Sequence, residues 1–340
     1  MRILYTGGGT LGSVTPLLAL SALDNASSRM WIGTASGPER EYIENQHIPF
    51  VGIRTFRLRR FLSLRTISEF PNLFTSYYKA RKILKEFKPD IIITAGSYVG
   101  VPVCLAARRL HIPYAVMQLD VDPGLANTLL FSKAKYIFAS NRFVAKKIGS
   151  PQKTTICGIP VPHLPKRITP QKPILVITGG GTGSRWLNHF VEKNINALSA
   201  SCQVIHFRGN TNRSFRSISP QKKYFSFEHG TREQILDAFS KASLVVTRAG
   251  MGTLAELSAL GKPTIIVPMP DSHQEHNAVY FAERNAALVI AQADGEESLL
   301  KEIISLLKDE KRKEQLSKAI VNAFPHDAIS CIIEQIKKDL

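Results

Sequence analysis

Apolar and polar positions follow two alternating patterns almost from end to end of the chain. Short runs rich in Ile, Val and Leu cover residues 2–6, 30–33, 90–95, 114–118 and 135–139, then 174–178, 203–207, 224–227, 244–247, 264–268 and 287–290. Many are continuous rather than strictly alternating, as expected of strands covered by helices on both faces. Stretches of helical periodicity separate them, and the chain ends in three, near 299–307, 311–322 and 328–338. This β/α rhythm predicts doubly wound parallel sheets.

The rhythm restarts once. Residues 158–173 hold Pro160, Pro162, Pro165, Pro170 and Pro173 with little periodicity, the composition of a linker. Directly afterwards, the run 174–178 enters Thr178-Gly179-Gly180-Gly181-Thr182-Gly183, mirroring Thr6-Gly7-Gly8-Gly9-Thr10 near the start. We expect two similar α/β domains, 1–160 and 161–325, facing each other across a cleft. Residues 326–340 form a C-terminal helix that can pack back on the first domain. A length of 340 residues suits two domains.

Composition narrows the function classes. With 44% hydrophobic and 21% charged residues the chain is ordinary globular material, not disordered. It has no uninterrupted apolar run of about 18 residues, which excludes a membrane-spanning helix. Met1 reaches the glycine turn by Gly7, so no signal peptide is expected. Cys104, Cys157, Cys202 and Cys331 lie far apart with no CxxC pair. Their spacing speaks against a zinc knuckle or a disulfide framework and suits a reducing cytosol. The net charge of +17 is uneven, with 21 Lys and Arg against 9 Asp and Glu in residues 1–165, and 23 against 18 in the rest. The first half therefore faces something anionic.

Each glycine turn follows a strand and opens a helix, where backbone N–H groups and the helix dipole favour phosphate. In the first turn, Thr15 is placed to cap the helix and Pro16 to occupy its first position. Ala95-Gly96-Ser97-Tyr98-Val99-Gly100-Val101-Pro102 repeats the arrangement. Gly7-x-Gly9-x-x-Gly12 matches a dinucleotide fingerprint, but the second strand ends Ile32-Gly33-Thr34 with no ribose-binding acid. Neither turn continues into Gly-Lys-Ser/Thr, so a P-loop is excluded. The densest polar segment, 248–256, follows the run 244–247 and opens a helix. Glu256, one turn in, can bridge two ribose hydroxyls or merely serve the helix dipole. Gln274 and Asn277, three apart, share a helix face, and amides that donate and accept suit sugar hydroxyls.

Together these segments resemble the MurG family, the membrane-associated N-acetylglucosaminyltransferases of glycosyltransferase family 28. The motifs that carry the resemblance are Gly8-Gly9-Thr10-Leu11-Gly12-Ser13-Val14-Thr15-Pro16, Ser97-Tyr98-Val99-Gly100-Val101-Pro102, Gly179-Gly180-Gly181-Thr182-Gly183-Ser184-Arg185-Trp186-Leu187-Asn188, the run 248–256, and His273-Gln274-x-x-Asn277-Ala278. They span essentially the whole chain. The resemblance implies a GT-B fold of two Rossmann-like domains, with the acceptor in the first half and UDP-GlcNAc mainly in the second. It implies an inverting transfer to a polyprenyl-diphosphate-linked muramyl peptide (lipid I), without a metal or other cofactor. Among donor residues it implies Glu256 on the uridine ribose, Gly252 and Thr253 at the diphosphate, Gln274 and Asn277 on GlcNAc, and the backbone at Phe227 and Glu228 on uracil. Thr10, Leu11, Gly12, Asp120, Gly181, Thr182, Arg248, Met251 and Leu254 complete the donor set, and Gly9, Gly12, Ser97 and Tyr98 the acceptor and phosphate loops. Ser13 stands where the family usually has His, and Met117-Gln118-Leu119-Asp120 where it usually has His-Glu-Gln-Asn.

An attacking sugar hydroxyl must lose a proton, so a general base is wanted. Asp120 is the candidate, with Thr10 and Ser13 as further catalytic candidates. The alternative is that Asp120 opens the turn Asp122-Pro123-Gly124 or braces a glycine loop. Asp120-Val121-Asp122 spells a DxD motif out of its usual context, and His273 and His276 lack a third partner, so no metal is expected.

A basic, apolar segment remains. Residues 54–74 hold Arg54, Arg57, Arg59, Arg60 and Arg65 interleaved with apolar side chains, including Phe61 and Leu62, against the single acid Glu69. Such a surface suits an anionic leaflet on the cytoplasmic face of the membrane, at about 1 kcal/mol per cation. The bland alternative is an amphipathic core helix with a solvated basic face. No nucleic-acid-binding signature accompanies the charge, so no nucleic acid is expected. The chain is expected to sediment with anionic phospholipid vesicles at low salt and to be released near 1 M salt, where the Debye length is about 3 Å.

Overall fold

The computed structural model describes residues 1–24, 26–55, 71–209, 223–228 and 230–338. The chain divides into two compact units, Met1–Pro162 with Pro325–Leu340, and His163–Phe324.

Among the described residues, the first unit carries seven parallel strands: β1 Arg2–Thr6, β2 Ser28–Thr34, β3 Phe50–Ile53, β4 Ile91–Thr94, β5 Tyr114–Gln118, β6 Tyr136–Ala139 and β7 Thr154–Ile156. Their order is β3-β2-β1-β4-β5-β6-β7. Leu4, Ile32, Ile92, Val116 and Ile137 line one buried face under Leu84, Val103 and Ala107 of the helices Pro71–Phe87 and Gly100–Arg109. β3 and β7 are additions to the sequence reading. Both are edge strands of mixed burial, and an edge strand needs no continuous apolar run.

The second unit carries β8 Ile174–Thr178, β9 Gln203–Phe207, β10 Tyr224–Phe227, β11 Leu244–Thr247, β12 Thr264–Ile266 and β13 Leu288–Val289, all parallel, in the order β10-β9-β8-β11-β12-β13. Leu187, Phe190 and Leu198 of the helix Arg185–Ser201 and Ile303 and Leu306 of the helix Gly295–Lys308 pack on Leu175, Ile177, Val204 and Val246. In each sheet the order of strands reverses once, between β1 and β4 and between β8 and β11. Open parallel sheets bind ligands at the carboxyl ends of the strands beside such a reversal.

Two expectations are corrected. Thr15 does not cap a helix: residues Leu11–Ser13 form a 3-10 turn, and Thr15 opens the helix Thr15–Ser21 with its hydroxyl donating to the Leu11 carbonyl at 3.2 Å. The cysteines do form a disulfide: Cys157 and Cys331 are joined with their Cα atoms 5.5 Å apart, across 174 positions. Spacing rules read neighbours in sequence and are blind to a pair brought together by folding. The bond fastens the helix Ala328–Lys337 to the body of the first unit. Cys104 and Cys202 are free and buried, and burial pushes the Cys202 thiol up to about 11.

The proposed membrane patch, Arg57, Arg59, Arg60, Phe61, Leu62 and Arg65, lies outside the described residues. The helix that follows it, Pro71–Phe87, exposes Phe74 and Tyr78 on the same surface as Lys82. Among the described residues no helix is long and apolar enough to cross a membrane.

Strand β9 of the second sheet carries a buried histidine. Asn188 spends its amide nitrogen on the Arg208 carbonyl at 3.1 Å, so its oxygen must accept from His206 Nε2 at 3.0 Å. His206 Nδ1 then accepts from the Tyr224 hydroxyl at 3.1 Å, which is the neutral tautomer. Burial, helped by the charge of Arg208, pushes the imidazole down to about 3. A group whose pKa falls on folding stabilises above its unfolded value and loses that contribution as pH drops. Stability should therefore decline below about pH 6.5 by up to about 1.4 kcal/mol per unit from this site. Urea unfolding at several pH values checks it, and His206→Gln should flatten the decline.

Candidate active site

At the reversal in the first unit, the turn after β1 and the turn after β4 lie against each other. Ser97 adopts a left-handed backbone (φ +84) and donates its hydroxyl to the Gly8 carbonyl at 2.7 Å. Gly9 is also left-handed, and a Cβ there would sit 2.7 Å from the Tyr98 hydroxyl. Only glycine lets the two turns approach this closely. Below them, Glu39 is fully buried, accepting from the backbone N–H of Thr34 at 2.6 Å, from the Thr34 hydroxyl, and from the N–H of Gly9 at 3.2 Å. A Cβ on Gly8 would collide with that carboxylate. Thr10 and Gly12 are exposed on the turn, with Leu11 and Ser13 half-buried. The Ser13 and Thr6 hydroxyl oxygens are buried without a hydrogen-bond partner, a condition that favours a ligand or water beside them.

Asp120 lies half-buried just past β5. Gln118 Nε2 donates to its carbonyl at 2.7 Å and to that of Asp122 at 3.2 Å. Gln118 is in turn held by Asn127 at 2.6 Å, and Asn127 packs so close to Gly96 of the second turn that a Cβ there would come within 2.8 Å of its side-chain oxygen. The Asp122 carboxylate is committed to an ion pair with Lys147, so the DxD letters do not act as a pair of free acids.

The second unit repeats the design. Gly180 donates to Thr178 Oγ1 at 3.1 Å, and Gly183 closes a turn on the Gly180 carbonyl at 3.0 Å. Ser184 caps the helix Arg185–Ser201 through the Leu187 N–H. Gly183 is left-handed (φ +76) and touches the backbone of Arg208 and Gly209, where a Cβ would come within 2.2 Å of the Arg208 carbonyl. Gly181 and Thr182 are exposed at the tip. Next to this turn, beyond β11, the helix Met251–Ala259 begins at Gly250 with no side-chain cap, so its first N–H groups, at Met251, Gly252 and Thr253, are left for another acceptor. Leu254 is buried behind them.

Arg248 braces the two elements: its guanidinium donates to Ser184 Oγ at 2.7 Å and to the carbonyls of Val267 and Pro268 at 3.0 and 2.8 Å. Burial pushes it down to about 10. Asn277 is fully buried and donates to the Ala249 carbonyl at 3.0 Å, so it holds this turn in shape. Gln274 accepts from the Met269 N–H at 3.1 Å near the surface. Glu256 is buried; Arg232 is ion-paired to its Oε1, and its Oε2 is buried without a partner. Burial raises the carboxyl, with Arg232 opposing. Phe227, stacked on Phe207, ends β10, with Glu228 exposed beyond it.

Residues 3–139 match the glycosyltransferase family 28 N-terminal domain, and residues 174–331 the glycosyltransferase family 28 C-terminal domain. The chain belongs to glycosyltransferase family 28. It is 33% identical over 325 residues, 91% of each chain, to a Lachnospira eligens protein named UDP-N-acetylglucosamine--N-acetylmuramyl-(pentapeptide) pyrophosphoryl-undecaprenol N-acetylglucosamine transferase. A Clostridium botulinum (strain Alaska E43) protein of the same name is 31% identical, with 100% of this chain and 98% of that one covered. The crystal structure of Acinetobacter baumannii MurG matches with a TM-score of 0.74 at 22% identity over 99% of both chains. A Neisseria meningitidis UDP-GlcNAc 2-epimerase bound to UDP-GlcNAc matches with a TM-score of 0.69 at 14% identity, over 99% of this chain and 100% of that one. These likenesses to solved structures are of fold, the GT-B type.

This family 28 chain gathers its candidate residues unit by unit. Thr10, Leu11, Gly12, Ser13, Ser97 and Tyr98 share the first reversal; Gly181, Thr182, Arg248, Met251, Gly252 and Thr253 share the second. Sequence reasoning passed over Glu39 and Arg232, and named Ser184 only within a motif, without a role. A usable signal for Glu39 was its position five residues beyond the second strand; Ser184, just before the helix, was a visible cap. Arg232 had none, because its partner lies 24 positions away. Gly183→Ala forces a side chain into left-handed backbone and against Arg208, and should cost at least about 2 kcal/mol. Urea unfolding checks this.

Proposed function

We propose that the chain transfers GlcNAc, with inversion, from UDP-GlcNAc to a polyprenyl-diphosphate-linked muramyl peptide, at the cytoplasmic face of the membrane and without a metal. Near full-length similarity to relatives named for GlcNAc transfer to such an acceptor supports the transfer itself. The second reversal supplies chemistry that suits it. Uncapped N–H groups of the helix Met251–Ala259 suit a diphosphate, before and after the sugar bond breaks. The unsatisfied Glu256 oxygen suits a ribose, and the half-buried Gln274 amide suits a sugar hydroxyl. Asn277 acts on this site through the turn it holds.

In the first unit, the Ser97–Gly8 clasp presents Thr10, Gly12 and Ser13 toward an acceptor diphosphate, and Asp120 is the base that takes the proton of the attacking hydroxyl. Its backbone is held by Gln118, so the carboxylate works from a fixed anchor. The basic segment 54–74 brings the chain to an anionic leaflet, where a lipid-linked acceptor resides.

The test is UDP release from a panel of UDP-sugars with lipid I or diacylglycerol as acceptor. UDP-GlcNAc with lipid I should be the productive pair, without added divalent cation. Release only with diacylglycerol, or conversion of UDP-GlcNAc at C2 without an acceptor, would replace this reading by a glycolipid transferase or an epimerase. Asp120→Asn should lower kcat at least about 100-fold while UDP affinity, measured by calorimetry, stays within about threefold.

A further inference from the structure

Glu256 presents an asymmetry of which the donor reading uses only the open oxygen. Its side chain is 3% exposed, one oxygen is engaged by Arg232 Nη2, and the other is buried with no hydrogen-bond partner. The two residues come from different helices. Arg232 opens Arg232–Lys241, whose start is set by a capping box: Thr231 Oγ1 accepts from Gln234 N at 3.3 Å, and Gln234 Oε1 accepts from Thr231 N at 2.9 Å. Glu256 lies in the second turn of Met251–Ala259. The guanidinium is therefore delivered by a helix whose register is fixed independently of the carboxylate.

Several other charged groups on the elements nearby are engaged elsewhere, among them Lys241 with Asp237 on Arg232's own helix and Arg312 with Glu302. Arg248 is tied to Ser184 and two carbonyls, and Glu233 to the N-terminus of its own helix and Thr231. On the packed helix Glu310–Val321, Lys313 is tied to Leu307 and Glu310, and Lys318 to Glu314. Burial pushes the Glu256 carboxyl up and Arg232 pulls it back. A carboxylate gripped on one oxygen by a charged donor keeps one orientation and leaves the lone pairs of the other oxygen as its open acceptors.

Resting on the donor-site reading above, we propose that Arg232 is a positioning residue of that site, clamping Oε1 of Glu256 so that Oε2 accepts the vicinal hydroxyls of a nucleoside diphosphate's ribose. Arg232 touches no reacting atom and acts through Glu256.

The experiment compares UDP affinity by calorimetry and UDP-GlcNAc kinetics for the wild type, Arg232→Met, Arg232→Lys, Glu256→Gln and the double variant Arg232→Met/Glu256→Gln. Arg232→Met should weaken UDP binding about tenfold near pH 6.5 and raise KM, with kcat within about twofold. The loss should shrink as pH rises, since burial holds a carboxyl deprived of its cation in the neutral form at lower pH. Arg232→Lys should recover most of the affinity. On the Glu256→Gln background, Arg232→Met should add no further loss. Should Arg232→Met fail to fold, Arg232→Gln serves in its place. Unchanged UDP affinity in Arg232→Met beside a weakened Glu256→Gln, or additive losses in the double variant, overturns the inference and leaves the donor reading intact. Unchanged affinity in Glu256→Gln overturns the donor reading itself.

Discussion

Close backbone approach between the turns that follow neighbouring strands is the constraint on which the candidate site depends. Two parallel strands that neighbour each other put their following turns side by side, here with no room for a Cβ between them. In the first unit Gly9, after β1, lies against Tyr98, after β4, at the reversal; in the second Gly183, after β8, lies against Arg208 and Gly209, after the adjacent β9. Glycine is required at these contacts by space as well as by left-handed backbone. The resulting turns hold their shape before any ligand arrives, so binding need not meet the full cost of ordering them.

Buried charge follows a division of labour between the units. Glu39 is fully buried and its oxygens are occupied by Thr34 and Gly9, so its carboxylate shapes the first turn from within. Glu256 is just as deeply placed, but only one of its oxygens is satisfied. A satisfied buried carboxylate belongs to the fold, while a half-satisfied one holds acceptor capacity in reserve. The same contrast separates Asn277, spent on Ala249, from Gln274, whose amide lies nearer the surface. Residues that a motif groups together thus divide into those that hold the turn and those left to meet a ligand.

Legibility varied with how local each signal was. The central strands were readable because burial on both faces forces a continuous apolar run, as in Ile91–Thr94 and Leu244–Thr247. The edge strands Phe50–Ile53 and Thr154–Ile156 were not, since partial exposure dilutes that run. The glycine turns were readable at their positions but not in their pairing: nothing local to Gly8 announces that Ser97, 89 residues on, donates to its carbonyl. The Cys157–Cys331 bond escaped for the same reason.

By itself, the sequence determined the β/α alternation, the restart after the proline-rich linker, the turn positions and the surplus of positive charge in the first half. Each follows from interactions within a few residues, namely periodic burial, backbone freedom at glycine and fixed φ at proline. Only the tertiary structure decided which turns become neighbours, which cysteines join, that Glu39 is a brace, and that Arg232 takes one oxygen of Glu256. These depend on strand order and helix placement, which bring together groups far apart along the chain, and no local pattern encodes such distances.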